Sequence, residues 1–131
     1  MKLLLDTHIW LWALLEPQRL SSRVRKESAN PANERWLSPI SLWELMNLHL
    51  KKRIALDTPV EEWIATSMQR FRTIEAPVTN EVAQEMSRIV LPHRDPADRF
   101  LAATANVFGL TLVTADTTLI EAKACPILAS R

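Results

Sequence analysis

The chain reads as an α/β protein with a mostly parallel central sheet covered by helices on both faces. Short apolar runs alternate with longer stretches of helical character from one end to the other. The runs Lys2 to Leu5 and Leu110 to Val113 carry little polar alternation, as strands buried on both faces do. Helix-starting residues stand directly after the apolar runs: Asp6-Thr7, Ser38-Pro39 and Asp116.

Taken in order, Lys2 to Leu5 is the first strand, and Asp6-Thr7 can cap a helix from His8 to Leu15 that Pro17 closes. Ser21-Ser22 caps a second, basic helix through about Ala29, ended by Asn30-Pro31. Arg35 to Leu37 is a short strand. Ser38-Pro39 then starts a helix through His49 or Leu50, with Pro at the tolerated first position. Lys51-Lys52-Arg53 follows at its C-terminal end, where cations suit the helix dipole. Thr58-Pro59 begins a helix from Val60 to Gln69, and Phe71 to Glu75 is a strand candidate. Thr79 caps a helix from Asn80 to Val90. Asp95-Pro96 starts another through about Val107, and Gly109 suits its left-handed cap. Leu110 to Val113 is a strand, Asp116 caps a short helix to about Ala122, and Pro126 to Leu128 is a final strand. No repeat, low-complexity segment or linker interrupts residues 1–131, so one domain is expected.

Composition excludes several function classes. At 47% hydrophobic and 24% charged, the chain is ordinary for a globular protein, and a net charge of +1 gives no global polycation field. Nucleic-acid binding would need locally clustered bases. Cys125 is the single cysteine, which rules out an internal disulfide and a cysteine-rich zinc site. Gly109 is the single glycine, so neither a P-loop nor a GxGxxG dinucleotide fingerprint can be written. Asp6 interrupts the N-terminal apolar run, and no stretch of about 20 apolar residues exists to cross a membrane. A cytoplasmic protein is expected.

Chemistry concentrates in the acids. Of the five aspartates, Asp6, Asp95, Asp98 and Asp116 stand where a strand runs out or a helix begins, and only Asp57 lies in a plain loop. In an open parallel sheet, ligands bind beyond the carboxyl ends of the strands. Carboxylates from separate segments meeting there repel one another unless a cation neutralises them. Each acid also has a structural reading. Asp95 suits a helix cap, with Pro96 behind it. Asp98 instead shares a face with Leu101, Ala102 and Ala105, so its side chain points along the buried face toward the sheet. Ser41 and Glu44 spell a capping box, unless the helix starts at Ser38. In that case Glu44 lies inside it, in a polar stripe with Ser41 and Asn47 that suits the rim of a site. Asp6 and Asp116 could each be caps, but their joint position after two apolar runs favours a site. Thr7 and Thr114 could hydrogen-bond the carboxylates or bound water and substrate. His8 and His93 match no zinc spacing, and hard oxygen donors favour Mg²⁺ or Mn²⁺. His8 is expected to pack beside the site, His93-Arg94 to touch an anion or solvent, and His49 to end a helix.

The segments LLLDTHIWLWAL, SPISLWELMNLHLKKRIAL, LPHRDPADRFLAATA and GLTLVTAD resemble, in order and spacing, the PIN-domain family and within it the VapC-like toxins of toxin–antitoxin pairs. The likeness covers nearly the whole chain. It implies a three-layer α/β/α sandwich and a Mg²⁺- or Mn²⁺-dependent endoribonuclease. The family's acidic set falls on Asp6, Glu44, Asp98 and Asp116. The metal would be held by Asp6, Asp98 and Asp116, and would activate a water for hydrolysis of an RNA phosphodiester. Many relatives carry a further acid two residues after the last, where this chain has Thr118. That departure is the feature favouring an alternative, a catalytically degenerate module that binds RNA or protein. An aspartyl phosphatase would need a second aspartate where His8 stands. The resemblance also implies a VapB-like antitoxin as partner, and a homodimer.

RNA must be held as well as cut. Arg94 and Arg99 flank the acids in sequence and are the nearest candidates for phosphate contact. Arg23, Arg25 and Lys26 form one further basic group and Lys51-Lys52-Arg53 a second, although each also fits a solvated helix face. The five tryptophans are many for this length. Trp10 and Trp12, two residues apart, cannot face the same way on one helix, so one can be core while the other is exposed.

Overall fold

The computed structural model describes residues 1–93 and 95–131. Among the described residues, five strands form one parallel sheet: β1 (Lys2–Leu5), β2 (Glu34–Leu37), β3 (Ile74–Glu75), β4 (Thr111–Thr114) and β5 (Ile127–Ala129). Seven α-helices connect them: α1 (Thr7–Leu15), α2 (Ser22–Ala29), α3 (Pro39–Leu50), α4 (Val60–Arg70), α5 (Asn80–Glu85), α6 (Pro96–Phe108) and α7 (Thr117–Ala122). The strand order is β3-β2-β1-β4-β5, with every pairing parallel.

The sandwich follows from strand periodicity. Successive side chains of a strand point to opposite faces, and β1 uses both for core. Leu3 and Leu5 pack with Ile9 and Trp10 of α1, Val24 of α2, Leu45 of α3 and Trp63 of α4. Leu4 packs with Leu101 and Ala105 of α6 and Leu119 of α7. Helices α1 to α4 thus cover one face and α6 and α7 the other, while α5 buries Val82 against Ala102 and Ala103 of α6. Trp10 and Trp63 meet edge to face at 6.0 Å between ring centroids. Trp10 is the core tryptophan of its pair and Trp12 is half-buried.

Several boundaries differ from the sequence expectation, for local reasons. The first α-helix takes in Thr7, because Asp6 is its N-cap. Pro17 ends that helix but opens a 3-10 turn over Pro17–Arg19. The helix expected to reach Val90 leaves α geometry after Glu85 and continues as a 3-10 turn over Met86–Arg88. There Met86 O accepts from Ile89 N and from the Arg99 guanidinium at 2.7 Å, so no α bond from Val90 is needed. The strand expected over Phe71 to Glu75 shrinks to two residues, Ile74–Glu75. Phe71 is the C-cap of α4, and the Arg72 carbonyl is taken by Arg35 Nε. Leu110 sits outside β4 because its amide closes the end of α6 on Ala105 O, after Gly109 at φ 65°.

The strand order places the chemistry. Connections from β1 run outward through β2 to β3, and the chain then returns to add β4 on the other side of β1. The crevice of an open α/β sheet opens at such a reversal, beyond the carboxyl ends of the two strands. Here those ends are Asp6 after β1 and Asp116 after β4. No helix among the described residues is long and apolar enough to cross a membrane.

Candidate active site

A crevice of about 380 Å³ lies at that reversal, and five acids line it: Asp6, Glu44, Asp95, Asp98 and Asp116. They arrive from β1, α3, α6 and β4, so every acid of the expected set is brought together.

Asp6 is 7% exposed, and both its carboxylate oxygens are occupied from behind. Oδ1 accepts from Thr7 N at 2.8 Å and Oδ2 from the Thr114 hydroxyl at 2.7 Å. Thr114 Oγ1 in turn accepts from Asp116 N at 3.0 Å, so one hydroxyl ties the ends of β1 and β4 together. Burial raises the Asp6 carboxyl above the usual range against the lowering effect of those two hydrogen bonds. Asp116 is exposed, and its Oδ1 accepts from Thr118 N at 2.8 Å and Leu119 N at 3.3 Å. It is therefore both the cap of α7 and a wall of the crevice. Thr118 contributes a backbone amide that fixes this carboxylate.

Glu44 belongs to the interior of α3. Ser38 is the N-cap, its Oγ accepting from Ile40 N at 3.1 Å, so the Ser41–Glu44 spacing is not a capping box. Thr7 Oγ1 donates to Glu44 Oε1 and lies 2.8 Å from Ser41 Oγ. A hydroxyl has one proton, so with Thr7 donating to Glu44 it is Ser41 that donates to Thr7. Burial raises the Glu44 carboxyl, with smaller contributions from Asp6 and Asp95.

Asp98 projects from the buried face of α6 as its helical phase requires, and is 8% exposed. Burial, then the charges of Asp6, Asp95, Asp116 and Glu44, push its carboxyl up to about 7. His93 Nε2 lies 3.3 Å from Asp98 Oδ2. The anion that His93 meets is thus Asp98 itself. Asp95 N donates to His93 Nδ1 at 3.1 Å, which puts the imidazole proton on Nε2, facing the carboxylate. Asp95 caps α6 through Ala97 N at 3.0 Å, as expected, and it also lines the crevice.

Of the residues expected to hold substrate, Arg99 is placed elsewhere, while Thr7 and Thr114 take the carboxylate bonds that were their other expected role. Thr7 and Thr114 are buried at 1% and 0%, and their hydroxyls hold carboxylates. Arg99 follows Asp98 by about 100° of helix rotation, and its guanidinium is committed to Met86 O at 2.7 Å. Arg94 lies outside the described residues. A different cation lines the crevice, Arg19 of the 3-10 turn, stacked over the Trp12 ring at 4.3 Å and paired with Glu16 at 3.2 Å. Nothing in the sequence around Arg19 signals this, since Pro17 reads as a stop and the contact is tertiary. His8 is exposed at the crevice wall, beside Trp12 at 6.0 Å.

The donors are hard carboxylate oxygens, which suit Mg²⁺ or Mn²⁺ and not a thiolate-loving ion. Among the described residues, no three His, Cys, Asp or Glu side chains already stand in a metal-holding arrangement. The acids are instead braced by hydroxyls and amides, and burial first, then like charge, raises Asp6, Glu44 and Asp98. A divalent cation would reverse that sign of interaction for all of them, so the residue set fits one.

The PIN domain family model matches residues 3–124. The chain belongs to the PIN-domain family. Ribonuclease VapC22 of Mycobacterium tuberculosis is 38% identical over 116 residues, which are 86% of this chain and 85% of that protein. Among solved structures, VapBC2 from Rickettsia felis bound to a promoter DNA fragment matches with a TM-score of 0.72 at 17% identity, over 100% of both chains. DNA-bound VapBC from Salmonella typhimurium matches with a TM-score of 0.69 at 19% identity, over 98% of both. At those identities the structures speak to the fold: this three-layer sandwich is that of the PIN domain.

Proposed function

We propose that this PIN-domain protein is a metal-dependent endoribonuclease acting as the toxin of a toxin–antitoxin pair, with a VapB-like antitoxin as its partner. The observation that carries the reading is the convergence of Asp6, Glu44, Asp98 and Asp116 at one strand-end crevice. The likeness to a ribonuclease VapC supports the substrate class, and the likeness to VapBC complexes supports the partner. A homodimer and a cytoplasmic location belong to the same proposal.

Asp6, Asp98 and Asp116 would hold the cation, Mg²⁺ or Mn²⁺, and Glu44 would complete its surroundings. Bound there, it would lower the pKa of a coordinated water and offset charge on the reacting phosphate. The chain's own part is positional. Thr114 and the Thr7 amide fix the Asp6 carboxylate, Thr7 and Ser41 fix Glu44, and the first amides of α7 fix Asp116. Such outer partners commonly contribute about 10–100-fold in metal affinity or activity. His93 holds a hydrogen-bond donor toward Asp98.

The test is cleavage of a defined RNA by the purified chain after chelation, then with Mg²⁺ or Mn²⁺ restored, with the product ends identified. Cleavage that needs the cation and leaves 5′-phosphate and 3′-hydroxyl ends is expected. Cutting that persists in EDTA, or ends carrying a cyclic phosphate, would refute the mechanism.

A further inference from the structure

We propose that the acidic crevice is the middle of a longer track for single-stranded RNA. In this track Trp43, Lys51 and Arg53 grip the nucleotides on one side of the reacting phosphate, and Trp12 with Arg19 grips those on the other. The proposal rests on the ribonuclease reading and adds where the strand lies and what touches its bases.

A second groove runs between α3 and the start of α6, and it shares His8, Glu44 and Asp95 with the acidic crevice, so the two are continuous. One wall is a stripe of α3. Trp43 and Asn47, at i and i+4, stand on one face of α3, and Lys51 at its C-cap and Arg53 just beyond continue the line of the groove. Eight residues of helix carry that stripe about 12 Å away from the acids. Trp43 is 52% exposed beside the crevice, where an aromatic face can stack on a base. Lys51 and Arg53 are exposed, and no acid other than Glu44 and Asp95, at the crevice end, lines this groove.

The acidic crevice repeats the pairing with residues that do not line the groove, Trp12 and Arg19. Arg19 lies 4.3 Å over the Trp12 ring at the crevice wall, and Glu16 steadies the guanidinium at 3.2 Å. An arginine plane on an aromatic ring is itself a stacking platform for a base, and its charge suits the neighbouring phosphate. Cations therefore line both the anionic crevice and the groove that continues it, the pattern a polyanion needs if it crosses a cation-holding site.

An RNA strand fits this surface better than a helix of another protein would. Beside the apolar Trp43, Leu48, Pro96 and Ala97, the groove carries Asn47 and two cations, Lys51 and Arg53, whose charge suits phosphate, and the exposed Met46 and Leu50 of α3 do not line it. The strand must be single because both platforms act on base faces, which a duplex keeps stacked.

The experiment uses the Asp6→Asn protein, so that RNA stays intact, and follows a labelled oligoribonucleotide by fluorescence anisotropy. Adding Trp43→Ala should weaken single-strand binding about ten-fold, the loss of one stacked base, while Trp43→Phe keeps most of it. Adding Lys51→Ala and Arg53→Ala together should flatten the slope of log affinity against log salt by about 1.4, two single-strand phosphates. Arg19→Ala should weaken binding as well, and a duplex of the same sequence should bind less tightly than the strand. Unchanged binding in the Trp43→Ala protein, or preference for the duplex, overturns the proposal. So does a Trp43→Ala protein that holds RNA normally but loses its antitoxin, since the face would then belong to a protein. A parent protein that does not cut RNA in Mg²⁺ or Mn²⁺ defeats the ribonuclease reading separately, because the binding titrations do not depend on cleavage.

Discussion

Burial and four neighbouring acids oppose the charge of Asp98, and Asp98→Asn should make the metal-free protein more stable while ending its activity. Burial and four neighbouring acids hold the folded carboxyl at about 7, against an ordinary value of 3.8. The folded state thus keeps a proton that the unfolded chain releases. The stabilisation from a neutral Asp98 is complete below pH 3.8 and is lost as pH rises through about 7. A difference of about three pH units is worth about 4 kcal/mol at about 1.4 kcal/mol per unit. Solvent reaching the open crevice screens the charge and brings this to about 2 kcal/mol. Asparagine keeps the shape and cannot ionise. Urea unfolding in EDTA should therefore find the variant about 2 kcal/mol more stable than the parent at pH 8, with the gap closing toward pH 5. Added Mg²⁺ should stabilise the parent and do little for the variant. Identical pH slopes in the two proteins, or a parent more stable than the variant at pH 8, would refute the argument.

Other outcomes follow from contacts at and beside the site. Thr114→Val removes the hydroxyl that donates to Asp6 Oδ2 and accepts from Asp116 N; cleavage should fall about 10–100-fold in a protein whose circular dichroism is unchanged. Arg99→Ala breaks the bond to Met86 O and should cost about 1 kcal/mol in urea unfolding. It should leave RNA affinity in the anisotropy assay within two-fold, whereas a residue holding phosphate would lower it and flatten the salt dependence.

The acids were legible in the sequence because each obeys a local rule. Asp6 and Asp116 follow buried apolar runs, and a parallel sheet directs the ends of such runs to one edge. Asp98 shares the helical phase of Leu101, Ala102 and Ala105, which are all buried. Glu44 stayed ambiguous because two helix starts competed, and only the Ser38 cap decided between them. What the sequence did not disclose is tertiary. Arg19 reaches the crevice on a 3-10 turn hidden behind Pro17, and His93 meets Asp98 from a loop. Which of their expected partners Thr7 and Thr114 take, the carboxylates, depends on how β1, β4 and α3 pack. Arg99 misled for a related reason: adjacency in sequence to Asp98 is a change of face on a helix.

One measurement bears most directly on the acidic crevice as an RNA-cutting centre. RNA cleavage by the parent and by Asp6→Asn should be compared at equal concentration in Mg²⁺, with unfolding curves run on both. A folded Asp6→Asn protein with cleavage abolished is the predicted result. A folded Asp6→Asn protein that cuts RNA at the parental rate would contradict the account.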